Sequence, residues 1–174
     1  MSRRLRINLT DLESAFENSV AECDWFLDLE SGDVIMLTYE MATTYSTLIE
    51  EAEESGIDFA QALEQSDLAD WMKEAVAQAD RVEQGFGSTV IGVESDDSSA
   101  AFQDMEDFAG SVTNQRVRQQ LYAALQGNRP FRRFRDAIAA YPRDEERWFA
   151  FRDEQLRKRM RDWLEQEGIE LIED

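Results

Sequence analysis

Apolar residues recur at helical spacing along most of this chain, and only a few short runs turn β-branched and too brief for a helix. From 39 to 54, Met41, Tyr45, Leu48, Ile49 and Ala52 form one helical stripe, and Gly56 stops it. Residues 58 to 63 read as a short helical turn. A longer helix follows with Leu68, Trp71, Met72, Ala75, Val76, Ala79 and Val82 inward, Ser66 or Asp67 as its cap and Gly85 as its stop. Near the start, Thr10 or Asp11 caps a helix bearing Leu12, Ala15 and Phe16, with a short strand at 5 to 9 before it.

The exceptions to this periodicity predict a small sheet. Residues 23 to 28 are aromatic and extended, 29 to 32 read as a turn, and 33 to 37 are β-branched, which makes a hairpin over about 23–37. A third strand is predicted over about 86–93 from Thr89-Val90-Ile91-Gly92-Val93, with Gly92 marking a bulge or a close contact. The remainder is helical. Phe102, Met105, Phe108 and Ala109 share one face, and Asn114 caps a helix bearing Val117, Leu121, Ala124 and Leu125. Gly127 stops that helix, and Pro130 opens another with Phe131, Phe134, Ile138 and Tyr141. A last helix over 144 to 167 carries Trp148, Phe151, Leu156, Met160, Trp163 and Leu164, with Gly168 after it. The expected fold class is α+β, mostly helical, with a small antiparallel sheet packed against helices. At 174 residues and 43% apolar content, a single domain over 1–174 is expected.

Charge divides this chain unevenly. Residues 1 to 112 hold 26 acids and 5 bases, 113 to 161 hold 6 acids and 13 bases, and the last 13 residues hold 6 acids and no base. An acidic α+β part over about 1–112 and a basic all-helical part over about 113–167 are therefore expected to pack together, with arginine–carboxylate pairs at their seam. Only Lys73 and Lys158 are lysines, so arginine supplies the other 16 positive charges. Guanidinium suits bidentate pairing with carboxylate or phosphate better than ammonium does. The net charge of −20 argues against general attraction to nucleic acid or an anionic bilayer.

What is missing excludes several chemistries. Without histidine, Ser-His-Asp and Cys-His catalysis and imidazole metal sites are impossible, and a lone Cys23 permits neither an internal disulfide nor a cysteine zinc site. Glu22 and Asp24 flank Cys23 with no base beside it, so it is expected to pack as an inert apolar residue. Gly-x-Gly-x-x-Gly, Gly-x-x-x-x-Gly-Lys-Ser/Thr and Gly-x-Ser-x-Gly do not occur. No apolar run approaches the ~18–20 residues that span a bilayer, and the arginine-rich start leads into Asn-Leu-Thr-Asp, not into a signal-peptide core. A cytoplasmic location without membrane attachment is expected.

Several strings resemble a known family. They are Leu27-Asp28-Leu29-Glu30-Ser31-Gly32-Asp33-Val34, Met105-Glu106-Asp107-Phe108, and the run Gly127-Asn128-Arg129-Pro130-Phe131-Arg132-Arg133-Phe134-Arg135-Asp136. The similarity continues through Tyr141-Pro142, Arg147-Trp148-Phe149-Ala150-Phe151-Arg152 and Trp163-Leu164. Together they resemble the bacterial Uncharacterised Protein Family 0158 over nearly the whole chain. The resemblance implies one continuous domain, no known cofactor and no assigned activity. It also implies a Gly-x-Gly-Ala pattern before the two phenylalanines, where this chain has Gly127-Asn128-Arg129-Pro130.

Three kinds of site are conceivable. At the turn Gly127 to Pro130, free helix N-terminal amides together with Arg129, Arg132 and Arg133 suit an anion, whereas the alternative pairs these arginines internally with Asp104, Glu106 or Asp107. Nucleic-acid contact would use Arg116, Arg118, Arg129, Arg132, Arg133, Arg135, Arg152, Arg157 and Arg159, with aromatics stacking on bases. Its weakness is that Phe131, Phe134, Trp148 and Phe151 fall at buried spacing. Carboxylate chemistry, as a metal site or an acid–base pair, would draw on Asp28, Glu30, Asp33, Asp96, Asp97, Asp104 and Asp107, although the hairpin string does not follow the calcium-loop pattern. The expectation is a non-enzymatic binding protein with no cofactor, no catalytic residue and no metal, docking a protein partner that has a basic surface. The acidic helix at 39 to 54, with Glu40, Glu50, Glu51, Glu53 and Glu54, is its expected docking face. A nucleic-acid-associated protein is the alternative, and a carboxylate–metal enzyme the third reading.

Overall fold

The computed structural model describes residues 2–17, 22–95 and 98–172. In chain order these form β1 (Arg3–Leu5), α1 (Leu9–Phe16), β2 (Cys23–Asp28), β3 (Val34–Thr38), α2 (Tyr39–Ser55), α3 (Phe59–Gln65) and α4 (Asp70–Gly85). They continue with β4 (Val90–Val93), α5 (Ser98–Ser111), α6 (Gln115–Leu125), α7 (Pro130–Ile138), α8 (Pro142–Gln166) and β5 (Ile169–Leu171). The fold is α+β and mostly helical. Two compact units divide it: 1–94 with 168–174, and 95–167.

In the first unit, β2 is the centre of an antiparallel sheet with order β3-β2-β4. The hairpin register pairs Trp25 with Met36 and Phe26 with Ile35, while on the other side Phe26 faces Gly92 and Leu27 faces Ile91. Gly92 therefore lies in a regular ladder, with open space where a side chain would stand, and the expected bulge or close contact is absent. One sheet face packs Ile35 and Val90 against Val82 of α4, with Phe26 and Leu37 beside them. A second cluster joins α2, α3 and α4 through Leu48, Ala52, Ala62, Met72, Ala75 and Val76. The Trp25 indole N–H is buried with no hydrogen-bond partner among the described residues.

Several expectations about this unit need correction. Asn8, not Thr10 or Asp11, caps α1, because its Oδ1 accepts from the amides of Thr10 and Asp11. The first strand is 3–5, where a partner exists: β1 pairs in parallel with β5, Arg3 opposite Ile169 and Leu5 opposite Leu171. Helix α4 starts at Asp70 after Ala69, which has no side-chain cap, so neither Ser66 nor Asp67 serves. Trp71, in its first turn, is 63% exposed rather than inward-facing. Gly85 does end this helix, and contact requires a glycine there: a Cβ would sit 2.6 Å from Thr89 Oγ1 and 2.8 Å from Val90 Cγ2.

The second unit is helical and closes around aromatic rings. Phe108 of α5 and Phe134 of α7 lie 5.4 and 5.1 Å, centroid to centroid, from Trp148 of α8, and Phe151 is 5.7 Å from Phe108. Val112, Val117, Leu121, Ala124, Leu125 and Ile138 complete that core. Asn114 caps α6 by accepting from the amides of Arg116 and Val117. Helix α8 begins at Pro142 itself, since proline is tolerated in a first turn whose amides have no intrahelical partner. Phe131, expected inside, is 39% exposed although it shares the helix face of the buried Phe134 and Ile138; it stands in the first turn of α7.

Candidate functional site

An open groove in the first unit forms where β3 runs directly into α2. Thr38 ends the strand and caps the helix, its Oγ1 accepting from the Met41 amide at 3.2 Å, so the chain turns without a linker. The Tyr39 amide donates to the Glu22 carbonyl at 3.0 Å, which holds the start of α2 beside the start of β2. The resulting groove of about 930 Å³ has Phe26, Leu37, Ala79 and Val82 among its apolar lining, with Tyr39, Tyr45 and Phe86 as further aromatic side chains and Cys23 also lining it. Phe26 and Phe86 meet edge to face at 6.1 Å, and Tyr45 packs on Phe59 at 5.4 Å. Tyr39 and Phe86 are 73% and 63% exposed.

The charged lining is of one sign. Glu22, Asp24 and Glu83 line the groove, and no arginine or lysine does. Among the described residues, none of these three carboxylates takes part in an ion pair. The Tyr45 hydroxyl donates to Asp80 Oδ1 at 3.1 Å; burial, followed by the bond to Asp80 and its charge, pushes this hydroxyl above the ordinary tyrosine value.

By contrast, Asp28 and Asp33 of the hairpin turn are engaged with Arg81. Asp28 Oδ1 accepts from the amides of Glu30 and Ser31 at 2.7 and 3.0 Å, and Arg81 Nε lies 2.7 Å from its Oδ2. The same guanidinium donates to Asp33 Oδ2 at 3.1 Å and to Ser31 Oγ at 2.7 Å, fastening the turn to α4. Burial works to raise the Asp28 carboxyl, but the Ser31 and Glu30 amides and Arg81 outweigh it and hold it below the usual carboxylate range. Gly32 takes φ +82°, and a Cβ there would sit 2.1 Å from the Arg6 carbonyl oxygen. The Leu-Asp-Leu-Glu-Ser-Gly-Asp string is thus a structural turn fixed by an arginine. Sequence spacing gave no hint of Arg81, which sits on an exposed helical position of α4.

The expected anion turn has a different geometry. Arg129 is the N-cap of α7 with φ 55°, left-handed, where the resembled family pattern places glycine. The Arg133 guanidinium folds back over Gly127, so close that a Cβ on that glycine would be 2.5 Å from its Nη1. Arg132 Nε is 4.0 Å from Asp136 within the same helix. Of the three proposed internal partners, Asp104 is ion-paired with Arg159 of α8, Asp107 accepts from Gln103 at 2.9 Å, and Glu106 has no described polar partner. Arg118 donates to the Val112 carbonyl at 3.1 Å, and Arg152 lies 5.6 Å from the Phe149 ring centre and 3.4 Å from Asp153. Arg118, Arg132, Arg152 and Arg159 therefore each have a separate local partner. Asp96 and Asp97 lie outside the described residues. Among the described residues no group of three or more acids or cysteines is placed to hold a metal, and no helix is long and apolar enough to cross a membrane.

The second unit begins at Ser95, and so does the match to a family model. Residues 95–174 match the model of Uncharacterised protein family UPF0158, and this part of the chain is similar to that family. Over 66 residues it is 33% identical to UPF0158 protein PA5073 of Pseudomonas aeruginosa, an alignment covering 38% of this chain and 43% of that protein. The chain thus spans less than half the length of that relative. No solved structure matches the chain. The hairpin string at 27 to 34 falls outside the matched residues, so the likeness does not extend over nearly the whole chain as expected. Phe108, Phe134 and Trp148 lie within the matched range and meet in the core of the second unit.

Proposed function

We propose that this protein is a non-enzymatic cytoplasmic binding protein whose first unit docks a basic protein partner. The observation that carries the reading is how charge falls on the two units. Residues 1–94 with 168–174 hold 24 acids against 5 bases, whereas 95–167 hold 14 acids and 13 bases. Helix α5 brings its own acids to the helical unit, and this leaves the first unit with nearly all the uncompensated charge. Such a field accelerates encounter with a cationic partner and repels polyanions. Calorimetric titration of the whole chain with a synthetic peptide of alternating arginine and glycine tests this. Binding that weakens steeply with added salt, and no binding of a glutamate–glycine peptide, is the expected result. Absence of binding to the basic peptide at low salt overturns the reading.

A further inference from the structure

Resting on that basic-partner reading, we infer that the groove at the junction of β3 and α2 is the seat of the partner and that it takes arginine side chains in preference to lysine. Acid content alone does not select this place, because Glu50, Glu51, Glu53 and Glu54 crowd the far end of α2 as densely. What distinguishes the groove is the combination of concavity, rings and unpaired carboxylates. Its volume of about 930 Å³ accommodates several side chains of an extended segment. Tyr39 and Phe86 present large exposed ring surfaces at its rim, and Phe26 lies deeper between strand and helix. Glu22, Asp24 and Glu83 line the same space without an arginine or lysine partner among the described residues. Elsewhere in the unit Asp28 and Asp33 share Arg81, and Glu170 lies 3.8 Å from Arg4.

The chemistry that satisfies such a lining is specific. An ammonium ion is compact and strongly hydrated, and leaving water for an aromatic wall costs it more than it costs a guanidinium. A guanidinium stacks its flat face on a ring while its edge donates to one carboxylate, or to two at once. An apolar ligand would leave the three carboxylates desolvated without compensation, and an anion would be repelled by them. A basic polypeptide segment carrying arginine is therefore the occupant.

The test uses the full chain and two peptides of equal charge and length, one of arginine and glycine, the other of lysine and glycine. Calorimetry gives affinity, and amide chemical shifts give location. We expect the arginine peptide to bind about fivefold tighter than the lysine peptide, with shifts concentrated at Glu22 to Phe26, Tyr39 to Ser46 and Ala79 to Phe86. The combined variant Glu22→Gln, Asp24→Asn, Glu83→Gln is expected to weaken binding about tenfold or more. Tyr39→Ala with Phe86→Ala is expected to abolish the preference for arginine. All five positions are exposed, and thermal melts verify folding. Neutralising Glu50, Glu51 and Glu53 to glutamine serves as the remote control and is expected to change affinity less than about twofold. If the remote control removes binding while the groove variants leave it intact, the groove is overturned and the basic-partner reading survives. Equal affinity for both peptides that is insensitive to Tyr39→Ala with Phe86→Ala overturns the arginine preference. Failure of both peptides to bind the native chain overturns the groove and the broader reading together.

Discussion

Arg159 of α8 reaches both carboxylate oxygens of Asp104 in α5 through the same Nη1, at 3.0 Å each, and Asp104 is 6% exposed. A buried carboxylate is costly unless charged or hydrogen-bonding partners compensate it. Arg159→Ala is therefore expected to destabilise the second unit by about 3 kcal/mol, since removing one member of a buried ion pair costs more than the net value of the pair. Replacing both residues together, with Asp104→Leu and Arg159→Leu, should cost less than Arg159→Ala alone. Denaturant unfolding of the three variants decides this.

The hairpin turn gives a second, pH-dependent prediction. Asp28 has its carboxyl held below the unfolded value, which is near 4. The resulting stabilisation is fully present above about pH 4 and fades as the pH falls through the lower folded value. Asp28→Asn is expected to lower stability at neutral pH and to flatten the acid limb of a stability–pH curve. An unchanged acid limb in that variant would show that other carboxylates set it.

Arg81 makes contacts with three residues, Asp28, Asp33 and Ser31, that one ammonium cannot reproduce. Arg81→Lys is expected to recover only part of the roughly 2–3 kcal/mol lost in Arg81→Ala. Full recovery by lysine, measured by urea midpoint, would mean that charge alone matters there.

Three backbone positions predict effects of different size. Gly32→Ala meets both a left-handed φ and the Arg6 carbonyl, and should be strongly destabilising or prevent folding of the first unit. Gly127→Ala meets only the end of a flexible guanidinium and should shift the melting temperature little. Arg129→Gly relieves a left-handed non-glycine residue and should stabilise the second unit by up to about 1 kcal/mol. Calorimetric melts of the three variants rank them.

Fold class was readable from period alone. Val34, Ile35, Val90 and Ile91 could not belong to long helices, and a turn at Gly32 made a hairpin of the first run. Phe108, Phe134 and Trp148 lay at buried spacing and are buried. Where the reading failed, the deciding partner was remote. Trp71 occupies a position that fits the apolar stripe of α4, yet the first turn of that helix leaves it uncovered. Strands of three residues such as β1 and β5 have no period to detect, and only each other's backbone makes them strands. The groove escaped notice for a similar reason: Glu22, Tyr39, Glu83 and Phe86 are scattered in sequence and meet only after β3 and α4 fold beside one another. Charge counted along the chain also set the division at 112, whereas contacts set it at 94, because α5 packs with the later helices, one of which pairs its Asp104.

The parallel pairing of β1 with β5 has a kinetic consequence. Leu5 and Ile7 are buried, and the Ile172 amide donates to the Leu5 carbonyl at 2.8 Å, so the opening residues must wait for segments made more than a hundred positions later. Closing so long a loop is slow compared with forming the local helical contacts of α5 to α8. In a refolding experiment the amides of Arg3 and Ile172 should be the last to resist hydrogen exchange, after the intervening helical unit has already matured: the earliest segment of the polypeptide is the latest to come to rest.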